Sequence, residues 1–252
     1  QEGELPVRRR SLYRLGVDRL LTEPNSRRRE RDAPGPPLNV MRQAASRAAT
    51  VTLLSGAAGF VARDVPFDDP GSRLALERLV GGGSGATIEA LDALVATGLV
   101  GGTPDELRWT HRTVEEYLCA VGLDGLSDDA VIGLLTDPHD PTIPVQDLID
   151  VAAYVAEDNH AVFAWLADAQ PEVLLGPAML SATAEQRRTL VRALIGHLQQ
   201  LPLPAAWADF RHLDYDGLDD DIRPLLGDDQ PPWARRTALQ ILAHNKIRTL
   251  DD

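Results

Sequence analysis

"TIEALDALVATGLVGGTPDELRWTHRTVEEYLCA", Thr87 to Ala120, decides the fold. Thr87 is a good helix cap, and Ile88, Leu91, Leu94 and Val95 recur at helical spacing. A helix is therefore predicted to about Thr97, with Gly98 ending it. Leu99-Val100 and Leu107–Trp109 then flank "GGTPDE", a Gly/Pro/Asp turn that closes a short strand pair. A second helix follows from about Arg112. Helix, strand, turn, strand, helix is how the wing of a winged helix reads, and it places such a domain at residues 61–124.

The flanks on both sides read as helix, so the fold class is mainly α. Residues 1–60 form a helical domain. Its first helix, "RRRSLYRLGVDRLLTE", carries Leu12, Leu15 and Leu20, with Val17 and Leu21 widening the apolar stripe, and Pro24 stops it. The basic, proline-rich "SRRRERDAPGPP" connects it to "VMRQAASRAATVTLLSGAAGF", whose small residues allow close helix–helix approach. A turn, "VPFDDPGS", and a short helix, "RLALERLV" over 73–80, come next. Residues 125–252 read as helix pairs with polar or proline punctuation, spaced as in stacked HEAT-like hairpins.

The bulk properties set limits. A chain of 252 residues, 44% hydrophobic and 25% charged, is globular in composition. No apolar run approaches the roughly 20 residues of a membrane span, and no signal peptide is recognisable. A single cysteine, Cys119, excludes an intramolecular disulfide framework and fits a cytoplasmic setting. Residues 1–31 hold nine Arg against five acidic residues, yet the chain as a whole carries −13. The remainder is strongly acidic, which argues against nucleic-acid binding. The predicted helix 87–97 contains no Lys or Arg, which argues against a DNA-reading winged helix in particular. The start in mid-phrase suggests a fragment with a partner domain N-terminal to it.

Chemistry-bearing motifs are scarce. "GGGSG", Gly81 to Gly85, lacks the Lys and Ser/Thr of a P-loop and reads as an interhelix linker. His111 and Glu115 share a helix face, with Cys119 on the next turn, but a second histidine for a metal site is missing. "DYDGLDDD", Asp214 to Asp221, would put Leu225 where a calcium loop needs Glu, so it reads as a solvated turn. "DPHDP" around His139 reads as a turn as well. With no nucleophile motif and no Walker A or B sequence, no catalytic residue, no bound cofactor and no enzymatic activity are expected of this chain.

The phrase "ELRWTHRTVEEYLCA" resembles the F-x-H-R-x-F-Q-E-Y-L-A-A segment that ends the winged-helix domain of NACHT-type STAND NTPases. Trp109, His111, Arg112, Thr113, Glu116, Tyr117, Leu118 and Ala120 fall into register, while Val114 and Glu115 replace the usual Phe and Gln. "ELPVRRRSLYRLGVDRLLTEPNSRRRE" is similar to the end of the family's nucleotide-binding domain and its first helical domain. "VFAWLADAQPEVLLGPAMLSATAEQRRTLVRALI" is similar to the helices that follow in bacterial members with HEAT-like sensors. The resemblance implies a regulatory and sensor segment. An N-terminal NTPase domain, with an effector before it, would be held in its ADP-bound state and released for ATP and Mg, with oligomerisation, when a protein trigger is sensed. Many bacterial members act in antiphage defence. His111 occupies the position of the winged-helix histidine that contacts the β-phosphate of ADP.

An imidazole at a helix N-terminus can donate to an anion that the helix already favours. One charge-assisted bond is worth roughly 1.5–3 kcal/mol, against about 5.5 kcal/mol needed to drive a two-state switch from 1:99 to 99:1. The residues alone leave two uses for His111, nucleotide sensing or capping and packing at the wing–helix junction. They also leave a second reading of the whole chain, a stand-alone helical-repeat scaffold that binds a protein partner.

Overall fold

The computed structural model describes residues 8–22, 35–61, 74–75, 88–103, 106–200 and 209–245. The fold is mainly α. The chain separates into two compact units at Ser127/Asp128.

The first unit contains α1 (Arg9–Thr22), α2 (Leu38–Ser55), β1 (Phe60–Val61), β2 (Leu74–Ala75), α3 (Ile88–Val95), β3 (Val100–Thr103), β4 (Glu106–Trp109) and α4 (Arg112–Leu123). Helix α1 departs from the expected stripe, since Leu12 and Leu15 are 44% and 52% exposed. Its buried residues are Val17 and Leu21. These follow Tyr13 at i+4 and i+8, and the Tyr13 ring lies 5.6 Å from that of Tyr117 on α4. An aromatic contact and one i, i+4 row thus fix the rotation of α1, not its larger leucine content.

Helix α2 is built from small residues for a reason visible in its partner. Ala44, Ala45, Ala48 and Ala49 are fully buried, and α4 lies directly against the helix. At the closest point α4 has Gly122. A Cβ placed there would sit 2.0 Å from Thr50 Oγ1 and 3.1 Å from the Ser46 carbonyl oxygen. Thr50 Oγ1 itself donates to the Ser46 carbonyl at 2.8 Å. Gly56 ends α2 in the left-handed conformation (φ 68°). There its N–H reaches Leu53 O at 3.2 Å and that of Ala57 reaches Thr52 O at 3.0 Å, so the last carbonyls are satisfied.

The sheet has the order β2-β1-β4-β3. The predicted strand pair is β3 and β4, antiparallel, with Val100 opposite Trp109 and Thr103 opposite Glu106. β1 joins the other side of β4 antiparallel, Phe60 facing Leu107. Leu74 and Ala75, expected in a helix, instead form β2, parallel to β1. Pairing along the free edge of β1 outweighs the local helical pattern, because an edge carries unmet backbone groups that a strand can satisfy. "GGGSG" and the rest of 76–87 lie outside the described residues, as do "VPFDDPGS" and most of the basic connection. The core of this unit gathers Phe60, Leu91, Leu94, Leu99, Leu107, Leu118 and Leu123, all nearly or fully buried.

The second unit contains α5 (Asp128–Leu135), α6 (Ile149–Ala156), α7 (His160–Ala169), α8 (Ala184–Gln200), α9 (Leu218–Ile222) and α10 (Pro232–His244). Helices near in sequence pack on one another: α5 and α6 on α7, α7 on α8, and α8 on α9 and α10. Asn159 serves two of them. Its Oδ1 accepts from the Val162 N–H at 2.9 Å to cap α7, and its Nδ2 donates to Asp128 at the start of α5 at 2.8 Å. The acidic run 214–221 is largely spoken for. Asp214 pairs with Arg187 at 3.2 Å, and Asp221 accepts from the Tyr215 hydroxyl at 2.7 Å. At "DPHDP", Asp137 Oδ1 accepts the backbone N–H of His139 at 2.7 Å, so this stretch is an Asx turn as read. Among the described residues no helix is long and apolar enough to cross a membrane.

Candidate functional site

The site follows from how β4 hands the chain to α4. Thr110 fixes the handover, its backbone N–H donating to Leu99 O at 3.0 Å and its Oγ1 to Gly98 O at 3.0 Å. Trp109 packs edge-on against Phe60, ring centroids 6.1 Å apart. Its Nε1 donates to Thr52 Oγ1 at 3.3 Å, and Thr52 Oγ1 donates to Glu115 Oε1 at 2.9 Å. A polar chain thus runs from strand to helix to helix: β4, α2, α4. Glu115 and Glu116 are both buried. Arg112 Nε binds Glu116 Oε1 at 2.8 Å, and its Nη1 lies 3.5 Å from Glu115 Oε2.

Burial dominates the electrostatics here. It raises the pKa of the Glu115 carboxyl, against the opposing pull of the Thr52 hydrogen bond and the Arg112 charge. It raises that of the Tyr117 phenol likewise. The Cys119 thiol is pushed up to about 12, again chiefly by burial. A thiol so held is a poor nucleophile. Native protein should therefore react with an excess of a thiol reagent at least about a thousandfold more slowly than protein in denaturant, as global stabilities of several kcal/mol dictate for a buried group. Labelling at similar rates in both states would show that α4 opens locally.

His111 stands apart from all of this. It is the N-cap of α4, in extended conformation (φ −137°, ψ 120°), with no side-chain cap hydrogen bond. Its carbonyl accepts from the Val114 and Glu115 N–H groups at 3.2 Å each. The residue is exposed. Its imidazole therefore neither caps the helix nor packs into the junction. Within the motif, Trp109, Arg112, Glu115, Glu116, Tyr117, Leu118 and Ala120 serve the fold, while His111 and Thr113 are exposed, His111 at the positive end of a 12-residue helix.

His111, Glu115 and Cys119 do not converge, because the last two point into the core while the first is outside. Among the described residues no group of three His, Cys, Asp or Glu side chains could hold a metal ion. Helix α3 carries only Glu89 and Asp92 as charged residues. What the sequence reading missed is the part played by Thr52, 63 residues from Glu115, as the hinge of the polar chain. Nothing in the local pattern of α2 separates Thr52 from its neighbours. Compared with protein-family profiles, with curated proteins and with solved structures, the chain matches none.

Proposed function

We propose that this chain is the regulatory and sensor segment of a NACHT-type STAND NTPase, which holds an NTPase domain in its ADP-bound state and releases it on signal detection. The observation that carries the reading is the division of the His-Arg-x-x-x-Glu-Tyr-Leu phrase. Trp109 joins β4 to α2, Tyr117 meets Tyr13 of α1 and Arg112 pairs with Glu116 along α4, while His111 is presented outward at the N-terminus of α4. That is the arrangement a group needs to reach an anion held by another domain. In this role His111 donates to a phosphate oxygen of ADP, and Mg and ATP belong to the NTPase domain.

Two features of the topology support the domain reading. Helix α3, the hairpin β3–β4 and helix α4 follow the helix–strand–strand–helix order read for the winged helix at 61–124, with β1 added against the second strand of the hairpin. The sequence-neighbour packing of α5 to α10 suits HEAT-like hairpins that would carry a protein trigger. The test is His111→Ala in the protein that includes the NTPase domain. ADP release is expected to quicken about 10- to 100-fold, the equivalent of one charge-assisted bond, and basal activation to rise. Unchanged ADP release with unchanged basal activity sinks the proposal.

A protein-interaction scaffold is the second reading. It is favoured by the outer face of α10, where Trp233 and Leu239 are 39% and 57% exposed. Retention of a partner by residues 128–252 alone, lost on Leu239→Asp, would speak for it.

A further inference from the structure

The second unit begins with α5, packed on α7, and closes with α10, packed on α8 and α9. A stack of helical hairpins stays apart from its copies when the outer faces of its end helices are polar. Neither end helix meets that requirement. α5 buries Val131 and Leu135 and leaves Ala130, Gly133 and Leu134 exposed, Leu134 at 42%. Ile143, also exposed, is held beside the last turn of α5: the Asp137 N–H donates to the Ile143 carbonyl at 3.0 Å, and the Val145 N–H to the Leu135 carbonyl at 2.8 Å. α10 buries Ala234, Thr237, Ala238, Ile241 and Leu242. Its opposite row is Arg236, Leu239 and Ala243, at i, i+3 and i+7, all exposed.

A single exposed leucine is ordinary on a monomer. These two faces differ in the charge around them. Residues 128–186 carry eleven acidic side chains and no Lys or Arg, whereas residues 187–245 carry seven Arg against eight Asp. Asp129 borders the α5 face and Arg236 the α10 face; both are exposed, and neither is paired with another charge among the described residues. Gly133 adds an observation of another kind. It sits inside α5, where glycine is the poorest helix former after proline. A Cβ built on it meets nothing within 4 Å. No described residue of the fold uses the missing side chain, but a surface approaching from outside would.

We infer that the second unit joins head to tail with a second copy of this chain, the acid-rimmed α5 face of one copy against the α10 face of the next. Gly133 lies at the closest approach, and Arg236 answers the carboxylates around α5. Two α5 faces set against each other would oppose like charges, so the charges favour the unlike pair over a symmetric one. Such a contact is heterologous, and unless its rotation closes a ring it propagates from copy to copy. It needs no nucleotide, so it stands apart from the reading of His111. It also gives the α10 face an occupant other than the foreign protein of the scaffold reading.

Sedimentation velocity of the full chain from about 1 µM to about 1 mM, the range in which small interfaces associate, tests it. The wild type is expected to grow in mass with concentration, and less so in high salt. Gly133→Gln is expected to raise Tm, because glutamine is the better helix former, and yet to stay monomeric. Leu239→Asp, with folding checked by circular dichroism, is expected to stay monomeric as well. Each variant keeps one intact face, α10 in the first and α5 in the second. Mixed in equal amounts, they are expected to form a dimer and go no further. Arg236→Glu is expected to weaken association about tenfold or more. A wild type that is monomeric throughout, either face variant associating as the wild type does, or a mixture that stays monomeric while the wild type associates overturns the inference.

Discussion

Gly122→Ala is expected to destabilise the first unit by about 1–3 kcal/mol, although helix propensity alone predicts a gain of about 1 kcal/mol. The added methyl would begin 2.0 Å from Thr50 Oγ1. Thr50 must then rotate, giving up its bond to the Ser46 carbonyl, a loss of about 1 kcal/mol. Overpacking of the α2/α4 contact adds about 1–3 kcal/mol. The diagnostic is a double mutant. In a Thr50→Ala background the obstructing oxygen is gone, and Gly122→Ala should become neutral or stabilising. Denaturant unfolding of the four proteins measures this, and an equal loss in both backgrounds would place the clash elsewhere.

The second large effect is a pH dependence that Glu115→Gln removes. The Glu115 pKa is raised in the folded protein above its ordinary 4.5, first by burial. Between 4.5 and the raised value the native state therefore holds more protons than the unfolded chain. Stability from this group is fully present below about pH 4.5 and is lost as pH rises through the folded pKa. Glutamine stays neutral and can still accept from Thr52. Relative to wild type, Glu115→Gln should gain stability as pH climbs from 4.5, then level off. Its loss of the Arg112 contact is minor, since that guanidinium keeps Glu116. Unfolding free energies of the two proteins from pH 4 to 8 decide it: parallel profiles would mean that the carboxylate ionises without penalty.

The parts of this fold legible from sequence were those whose signal is local. Helical periodicity located α3 and α4 and the helical character of 125–252, and the Gly/Pro/Asp turn located the β3–β4 hairpin. What stayed hidden depends on partners distant in the chain. Leu74-Ala75 reads as helix because its pairing to Phe60-Val61 leaves no trace in its own pattern. Leu12 and Leu15 look like core because apolar spacing does not say which face meets Tyr117. At the candidate site, "WTHRTVEEYL" marked the junction of β4 and α4. It could not show that Glu115 is buried on Thr52, or that the histidine side chain makes no cap to the helix it begins.

The burial of Cys119 has a practical side. A silent thiol means that a cysteine introduced on the surface would be the one site open to labelling, with no need to remove the native one. His111→Cys would then carry a fluorophore at the exposed start of α4. Its emission would report the arrival and departure of whatever docks there, whether a nucleotide, a neighbouring domain or another protein.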